Sequence, residues 1–223
     1  MTAPPVNRLK RPWLLRLAAL VVLVAIGYAF YPRRGNFHSF DPAEMAALET
    51  IMWRRYYEGR YLSLAWNLYT ITRHQYGLRP ASSLKTAYHA AMAARMFRKS
   101  RGRAEAERAI PHLEKAYRCI SDNTGSPFDT QKAAEMELHW WQQRREHVPT
   151  EGYARTIGDL MTLVHKVDDP RMRHSALLRA RMMAYRDARR NGQMKEEDWE
   201  VIRKNLTEAY QLYHDAVTSV TTL

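Results

Sequence analysis

An all-α chain with one membrane-spanning helix at its amino end is what this sequence predicts, on three observations. The first is Trp13–Tyr31, nineteen residues of which only Arg16 is charged. The second is the stretch from Asp41 onward: Gly and Pro are sparse, β-branched runs are absent, and apolar residues recur at helical spacing. The third is a recurrence of helix starts near residues 41, 82, 129 and 169, separated by 41, 47 and 40 residues. The chain then divides into an arm over 1–12, an anchor over 13–31, a linker over 32–40 and a helical domain over 41–223.

The arm, with Pro4 and Pro5, reads as disordered. The anchor matches the roughly 20 mostly apolar residues that a helix needs to cross about 30 Å of hydrocarbon. Arg16 lies one turn from its end, where a long side chain can reach the interface. Trp13 at one boundary and Tyr28 and Tyr31 at the other suit the aromatic belts. A cleaved signal peptide would have a shorter apolar core followed by a small-x-small site. Here the exit is the bulky Tyr28-Ala29-Phe30-Tyr31, so an uncleaved anchor is expected. Arg8, Lys10, Arg11 and Arg16 outnumber Arg33 and Arg34, which favours a cytoplasmic amino terminus and a domain on the far side, periplasmic if the source is bacterial.

In the helical domain, Asp41-Pro42 offers a capping aspartate and a proline in the first turn. Pro80-Ala81-Ser82 opens the next unit with a serine cap, Asp129-Thr130 the third, and Asp169-Pro170 the fourth. Breakers fall inside each unit: Gly59, Gly102, Pro149 to Gly152, and Asn191-Gly192. Four helical hairpins follow, eight helices in all, a period that marks an α-solenoid. A glycine inside a helix costs only about 1 kcal/mol, so Pro42–Tyr76 as one long helix in a seven-helix bundle is the competing reading. The apolar stripes are Leu48, Ile51 and Met52; Leu64, Leu68 and Ile71; Ala134, Leu138 and Trp141; Leu177, Leu178, Met182 and Tyr185; and Trp199, Ile202, Leu206 and Tyr210.

Tyr56-Tyr57-Glu58-Gly59-Arg60-Tyr61 sets Gly, a polar residue and Tyr between two helices. Ala87 to Tyr117 adds an alanine-rich helix with Phe97 before Gly102. In these two stretches, about half of the domain, the sequence resembles tetratricopeptide repeat proteins. The resemblance implies a stack of helical hairpins and a protein-binding role. Leu64 and Ile71 depart from it, standing where that family prefers alanine, and so does the longer period.

Charge and cysteine content exclude several function classes. The formal charge is +12, but the first 34 residues hold six basic and no acidic side chains; the remaining 29 basic against 23 acidic leave +6. Those charges are interspersed along helices rather than gathered into a basic stripe, so nucleic-acid binding is not expected. One cysteine, Cys119, rules out an internal disulfide and a multi-cysteine metal site. Glu-x-x-His, His-Glu-x-x-His, phosphate-loop, dinucleotide and nucleophile-elbow patterns are absent. No cofactor and no catalytic residue is assigned. Glu137 falls about 60° from the centre of its apolar face and is expected to form a buried pair with Arg181. His89 reads as a core histidine; the competing class is a helical-bundle metalloprotein or enzyme using Glu49, His89 and Glu137.

Trp53, Tyr56, Tyr57 and Tyr61 cannot share one helical face with Trp66, so some must be exposed. With Arg54, Arg55 and Arg60 they have the composition of an interface hot spot; the competing reading is that these aromatics pack against the second hairpin. The expected function is that of a membrane-anchored protein–protein interaction module, a scaffold or assembly factor, whose partners are the lipid bilayer and another membrane-associated protein. The full chain should stay with membranes through alkaline carbonate extraction, and its amino terminus should precede Trp13. N-terminal sequencing that begins after Tyr31 is the contrary result.

Overall fold

The structure, a computed structural model, describes residues 12–31, 34–189 and 194–219. The arm and the Asn191-Gly192 breaker lie outside the described residues. Among those described there is no strand. Nine helices among the described residues have ten residues or more, and α5 (Arg103–Ala106) is a single turn.

Helix α1 (Pro12–Phe30) is exposed almost throughout, and Trp13–Phe30 is long and apolar enough to cross a membrane. Helix α2 (Pro42–Tyr57) starts as its sequence dictates: Asp41 Oδ1 accepts the Glu44 amide at 2.7 Å, with Pro42 in the first turn. It ends before Gly59, whose φ of +72° lies in the left-handed region that favours glycine. Helix α3 (Tyr61–Thr70) follows, so 42–76 is two helices rather than one. A π-turn, Ile71–Gln75, extends α3.

Helix α4 (Pro80–Lys99) begins at Pro80. Ser82, expected as its cap, instead lies buried inside the helix and donates to Asn123 Oδ1 at 2.8 Å. The turn α5 leads into α6 (Ile110–Thr124), which stops at Gly125 in the left-handed region. Asp129 caps α7 (Thr130–Arg145) and Asp169 caps α9 (Pro170–Ala188), each accepting a backbone amide in the first turn. Between them runs α8 (Thr150–His165), and α10 (Glu196–Ser219) closes the order.

From α2 onward each long helix packs on the one before it and the one after it, and α10 packs back on α2. The connections are short, so neighbours alternate in direction. The result is a single-walled ring of eight helices. One mouth gathers the starts of α2, α4, α7 and α9, on the side where α1 joins. The other gathers their ends.

A helix in such a wall meets two neighbours and the interior, so it buries three sides. That explains why the expected stripe Leu48–Ile51–Met52 is displaced. The buried positions of α2 are Met45, Ala46, Glu49, Thr50 and Trp53, while Ile51 is exposed.

The segment expected as a linker is part of the ring. Phe37 and Phe40 are both buried. The Gly35 amide donates to Asn123 O at 2.8 Å. A Cβ on Gly35 would come within 2.4 Å of Tyr76 O. The Phe37 ring lies 4.4 Å from His165 and 6.2 Å from Tyr76, and Phe40 lies 5.1 Å from Tyr213. Residues 35–40 thus form a strap across the α1-side mouth. Truncating a buried Phe costs roughly 3–5 kcal/mol. Phe40→Ala should therefore lower the urea midpoint of a chain starting at Gly35, which should itself be strongly helical and unfold cooperatively. A change below about 1 kcal/mol would mean that the strap is not bound to the ring.

Candidate functional site

The ring encloses a cavity of about 380 Å³, and each of the eight wall helices contributes to its lining. Most of the wall is apolar. Its central polar feature ties three helices together. Glu49 of α2 accepts from the Arg179 guanidinium of α9 at 2.6 Å and from the Tyr210 hydroxyl of α10, also at 2.6 Å. The Arg179 guanidinium lies 5.7 Å from the centre of the Tyr210 ring. Burial pulls the Arg179 pKa down, but the Glu49 carboxylate outweighs it and the guanidinium titrates well above its ordinary range. Burial likewise raises the Tyr210 hydroxyl, which stays protonated and donates.

Glu137 of α7 is held by three donors: the Tyr117 hydroxyl at 2.9 Å and the Trp140 and Trp141 indoles at 3.0 Å each. Burial raises its pKa, and those hydrogen bonds and Arg179 offset part of the rise. Glu137, Tyr76 and Tyr117 keep some accessible surface although protein surrounds them; that surface faces the cavity. Burial pushes the Tyr76 pKa up to about 12.

At the α1-side mouth, Tyr213 bonds to His165 Nε2, and the His38 ring lies 5.2 Å from His165, tilted by 43°. Burial, then the neighbouring His38, lowers the His165 pKa well below the usual imidazole value.

The structure does not bring Glu137 and Arg181 together. Arg181 is exposed, and the arginine that enters the interior is Arg179. On α9 the inward line runs Met172, Ala176, Arg179, Met183, at spacings of 4, 3 and 4, and Arg181 points about 200° away from it at 100° per residue. His89 is not with the carboxylates either. Its Nδ1 pairs with that of His112 at 2.9 Å, and neither ring lines the cavity. A site built from Glu49, His89 and Glu137 is therefore not assembled. Among the described residues, no three His, Cys, Asp or Glu side chains converge as a metal site would require.

The aromatic group of the first hairpin turns inward. Trp53 is buried, and Trp53, Tyr56 and Tyr57 line the cavity. The Arg186 guanidinium sits 3.3 Å over the Tyr57 ring, and Arg144 bonds the Tyr57 hydroxyl while holding both oxygens of Asp187 at 2.8 Å. Arg98 caps the end of α2, bonding Tyr56 O and, at 3.2 Å, Tyr57 O. Arg54, Arg55 and Arg60 gather around Glu58. Tyr61 is half-buried and Arg60 is exposed.

The most exposed large apolar side chains of the wall lie elsewhere, on the outer faces of α3 and α4. Leu62 is 91% exposed and Trp66 68%, one turn apart; Leu84 is 64% and Tyr88 54%, again one turn apart. Trp66 stacks on Tyr69 with ring centroids 5.2 Å apart. Two apolar i, i+4 pairs set against the buried faces were the available sequence signal.

No family model, curated protein or solved structure matches this chain.

Two outcomes follow. Arg179→Met should cost roughly 3–5 kcal/mol because it strands the Glu49 charge, and adding Glu49→Leu should recover most of that loss; urea unfolding of both variants measures it. Because the folded His165 pKa is depressed, its contribution is present above about pH 6.5 and lost as pH falls towards the folded value, by up to about 1.4 kcal/mol per pH unit. Stability measured between pH 7 and pH 5 should decline, and His165→Gln should flatten the decline.

Proposed function

We propose that this chain is a membrane-anchored, non-enzymatic interaction module, a scaffold or assembly factor that binds a membrane-associated protein. The observation that carries the proposal is the outward stripe of Leu62, Trp66, Leu84 and Tyr88. Adjacent helices seldom leave four large apolar residues outside unless something covers them. Trp and Tyr are also the residue types that anchor interfaces. The stripe replaces the 53–61 group as the expected contact surface, since Trp53, Tyr56 and Tyr57 are used by the ring. Helix α1 supplies the anchor by its length and composition, and the basic residues before it favour a cytoplasmic amino end. The order of four helical hairpins supports a kinship with hairpin-repeat proteins of the tetratricopeptide kind, here with the stack returning on itself.

A photo-crosslinking residue placed at 66 or 88 should give one defined adduct in native membranes, and one at Gln131 should not. Leu62→Ser with Trp66→Ser should leave the melting temperature within a few degrees, since surface changes rarely exceed about 0.5 kcal/mol each, and should remove the adduct at 88. Equal adducts at 66 and 131, or none, would refute this reading.

A further inference from the structure

Among the described residues, the carboxylates and guanidinium groups that line the cavity are Glu49, Glu137, Arg144 and Arg179. Glu49 and Arg179 hold each other at 2.6 Å, and Arg144 holds Asp187 at 2.8 Å. Arg186 shares that aspartate at the mouth away from α1. Glu137 has no such partner in contact. Arg179 acts on its charge only from a distance, and Arg179 is already held by Glu49.

What touches Glu137 is neutral. Tyr117 and Trp140 donate to Oε2 at 2.9 and 3.0 Å, and Trp141 donates to Oε1 at 3.0 Å. An indole can only donate, so these bonds are made to a carboxylate. A carboxylate enclosed by protein without a cation is a costly arrangement, and neutral donors offset only part of the cost. Glu137 also keeps surface that faces the cavity.

The setting of that surface is aromatic. Trp140 and Trp141 lie three and four residues beyond Glu137, so they flank it on α7 at about 60° and 40° to either side. Their ring centroids are 6.0 Å apart and their planes meet at 88°. An indole N–H lies in the ring plane, so each ring turns its edge to Glu137 and leaves its faces to other contacts. Phe97 of α4 stands 5.2 Å from Trp141. All three rings line the cavity, and each is only partly buried. The result is a corner of two perpendicular indoles with a carboxylate between them.

That combination selects a cation with an apolar surface. Aromatic faces attract cations, tryptophan most of all, and Glu137 supplies the counter-charge. A primary ammonium would bring three N–H donors, but the wall is helical and its carbonyls are bonded within the helices. A quaternary ammonium needs no acceptor. An anion would meet Glu137 as a like charge.

We propose that the corner of the cavity at Glu137, Trp140 and Trp141 binds a small quaternary ammonium cation, with the carboxylate balancing its charge and the indoles packing on its methyl groups.

The test uses the full chain in nonionic maltoside micelles, which carry no ammonium group. Radiolabelled choline is the probe, read by equilibrium dialysis against empty micelles. Its competitors are neohexyl alcohol, the same shape with carbon in place of the charged nitrogen, and ethanolamine, its primary counterpart. Choline should bind saturably at one per chain, and each competitor should be weaker by roughly tenfold or more. Glu137→Gln, which keeps the shape and an accepting oxygen, should weaken choline roughly tenfold or more and leave neohexyl alcohol unchanged. Trp140→Leu should weaken choline roughly threefold or more. Nanodiscs distinguish two sources of the cation. Choline binding that persists in phosphatidylcholine nanodiscs supports a free ligand. Binding lost there but kept in phosphatidylethanolamine nanodiscs supports a lipid head group at the same site. The proposal is overturned if choline shows no saturable binding in the millimolar range, or if neohexyl alcohol or ethanolamine competes as well as choline. It is also overturned if Glu137→Gln, still folded by circular dichroism, binds choline as the unchanged chain does. Should Glu137→Gln unfold, the three-probe comparison on the unchanged chain decides, together with Trp140→Leu.

Discussion

A guanidinium keeps its charge at any pH a cell meets, so burying one obliges the fold to supply a carboxylate. Arg179 imposes that obligation here, and Glu49 meets it from 130 residues away. The second oxygen of Glu49 is taken by Tyr210, 161 residues distant. One carboxylate therefore joins the first wall helix to the last two, across the seam where α10 returns to α2. Apolar contact alone would let the two ends of the wall slide or splay, since it is non-directional. A charged pair with a fixed third partner admits one register. The closure of the ring, and so the existence of an enclosed interior, rests on this point.

The strap over residues 35–40 depends on the same closure. Phe40 packs against Tyr210 and Tyr213 of α10, and the Asp41 amide donates a hydrogen bond to Gln75 Oε1 at 2.9 Å. Phe37 reaches His165 and Tyr76 on opposite parts of the wall. With α10 displaced from α2, these contacts could not all be made. At the opposite mouth the work is done by arginines: Arg98 on the end of α2, and Arg144 with Arg186 around Tyr57. Aromatic faces and bare helix-end carbonyls are suited to guanidinium groups, which is why so many of this chain's arginines are structural rather than free for a partner.

Much of the local structure was legible because it is set by residues a few positions apart. The aspartate caps at 41, 129 and 169 and the break at Gly59 are of this kind. Closure was not legible, because a contact between α2 and α10 leaves no periodic trace. The interior arginine was missed for a more specific reason. The heavier apolar residues of α9, Leu178 and Met182, suggested the inward face, and they place Arg181 on it. The true inward line runs through Met172, Ala176, Arg179 and Met183, with Ala180 buried beside it. Small residues are selected where helices approach closely; a Cβ on Gly158 of α8 would touch Ala176 Cβ at 3.7 Å. In a tightly packed wall, size misleads and the alanines mark the contact. The aromatics of 53–61 were misplaced by the same geometry, since counting one buried stripe per helix undercounts what a ring wall can bury.

Helix α3 is where inside and outside come closest. Its ten residues put Leu64 and Leu68 on the cavity and Leu62 and Trp66 on the outer surface. It has no side-chain cap at its start and passes into a π-turn at its end. Positive-φ glycines, Gly59 and Gly77, flank it on both sides. The longer wall helices α2, α7 and α9 have aspartate caps and buried or bidentate ion pairs. Local opening is cheapest where a segment is short, uncapped and poorly tied, so the least costly breach in the wall lies at α3. That places the weakest segment of the ring under the exposed Trp66 and Leu62, and a protein seated on those two side chains would brace the part of the wall that the ring itself secures least.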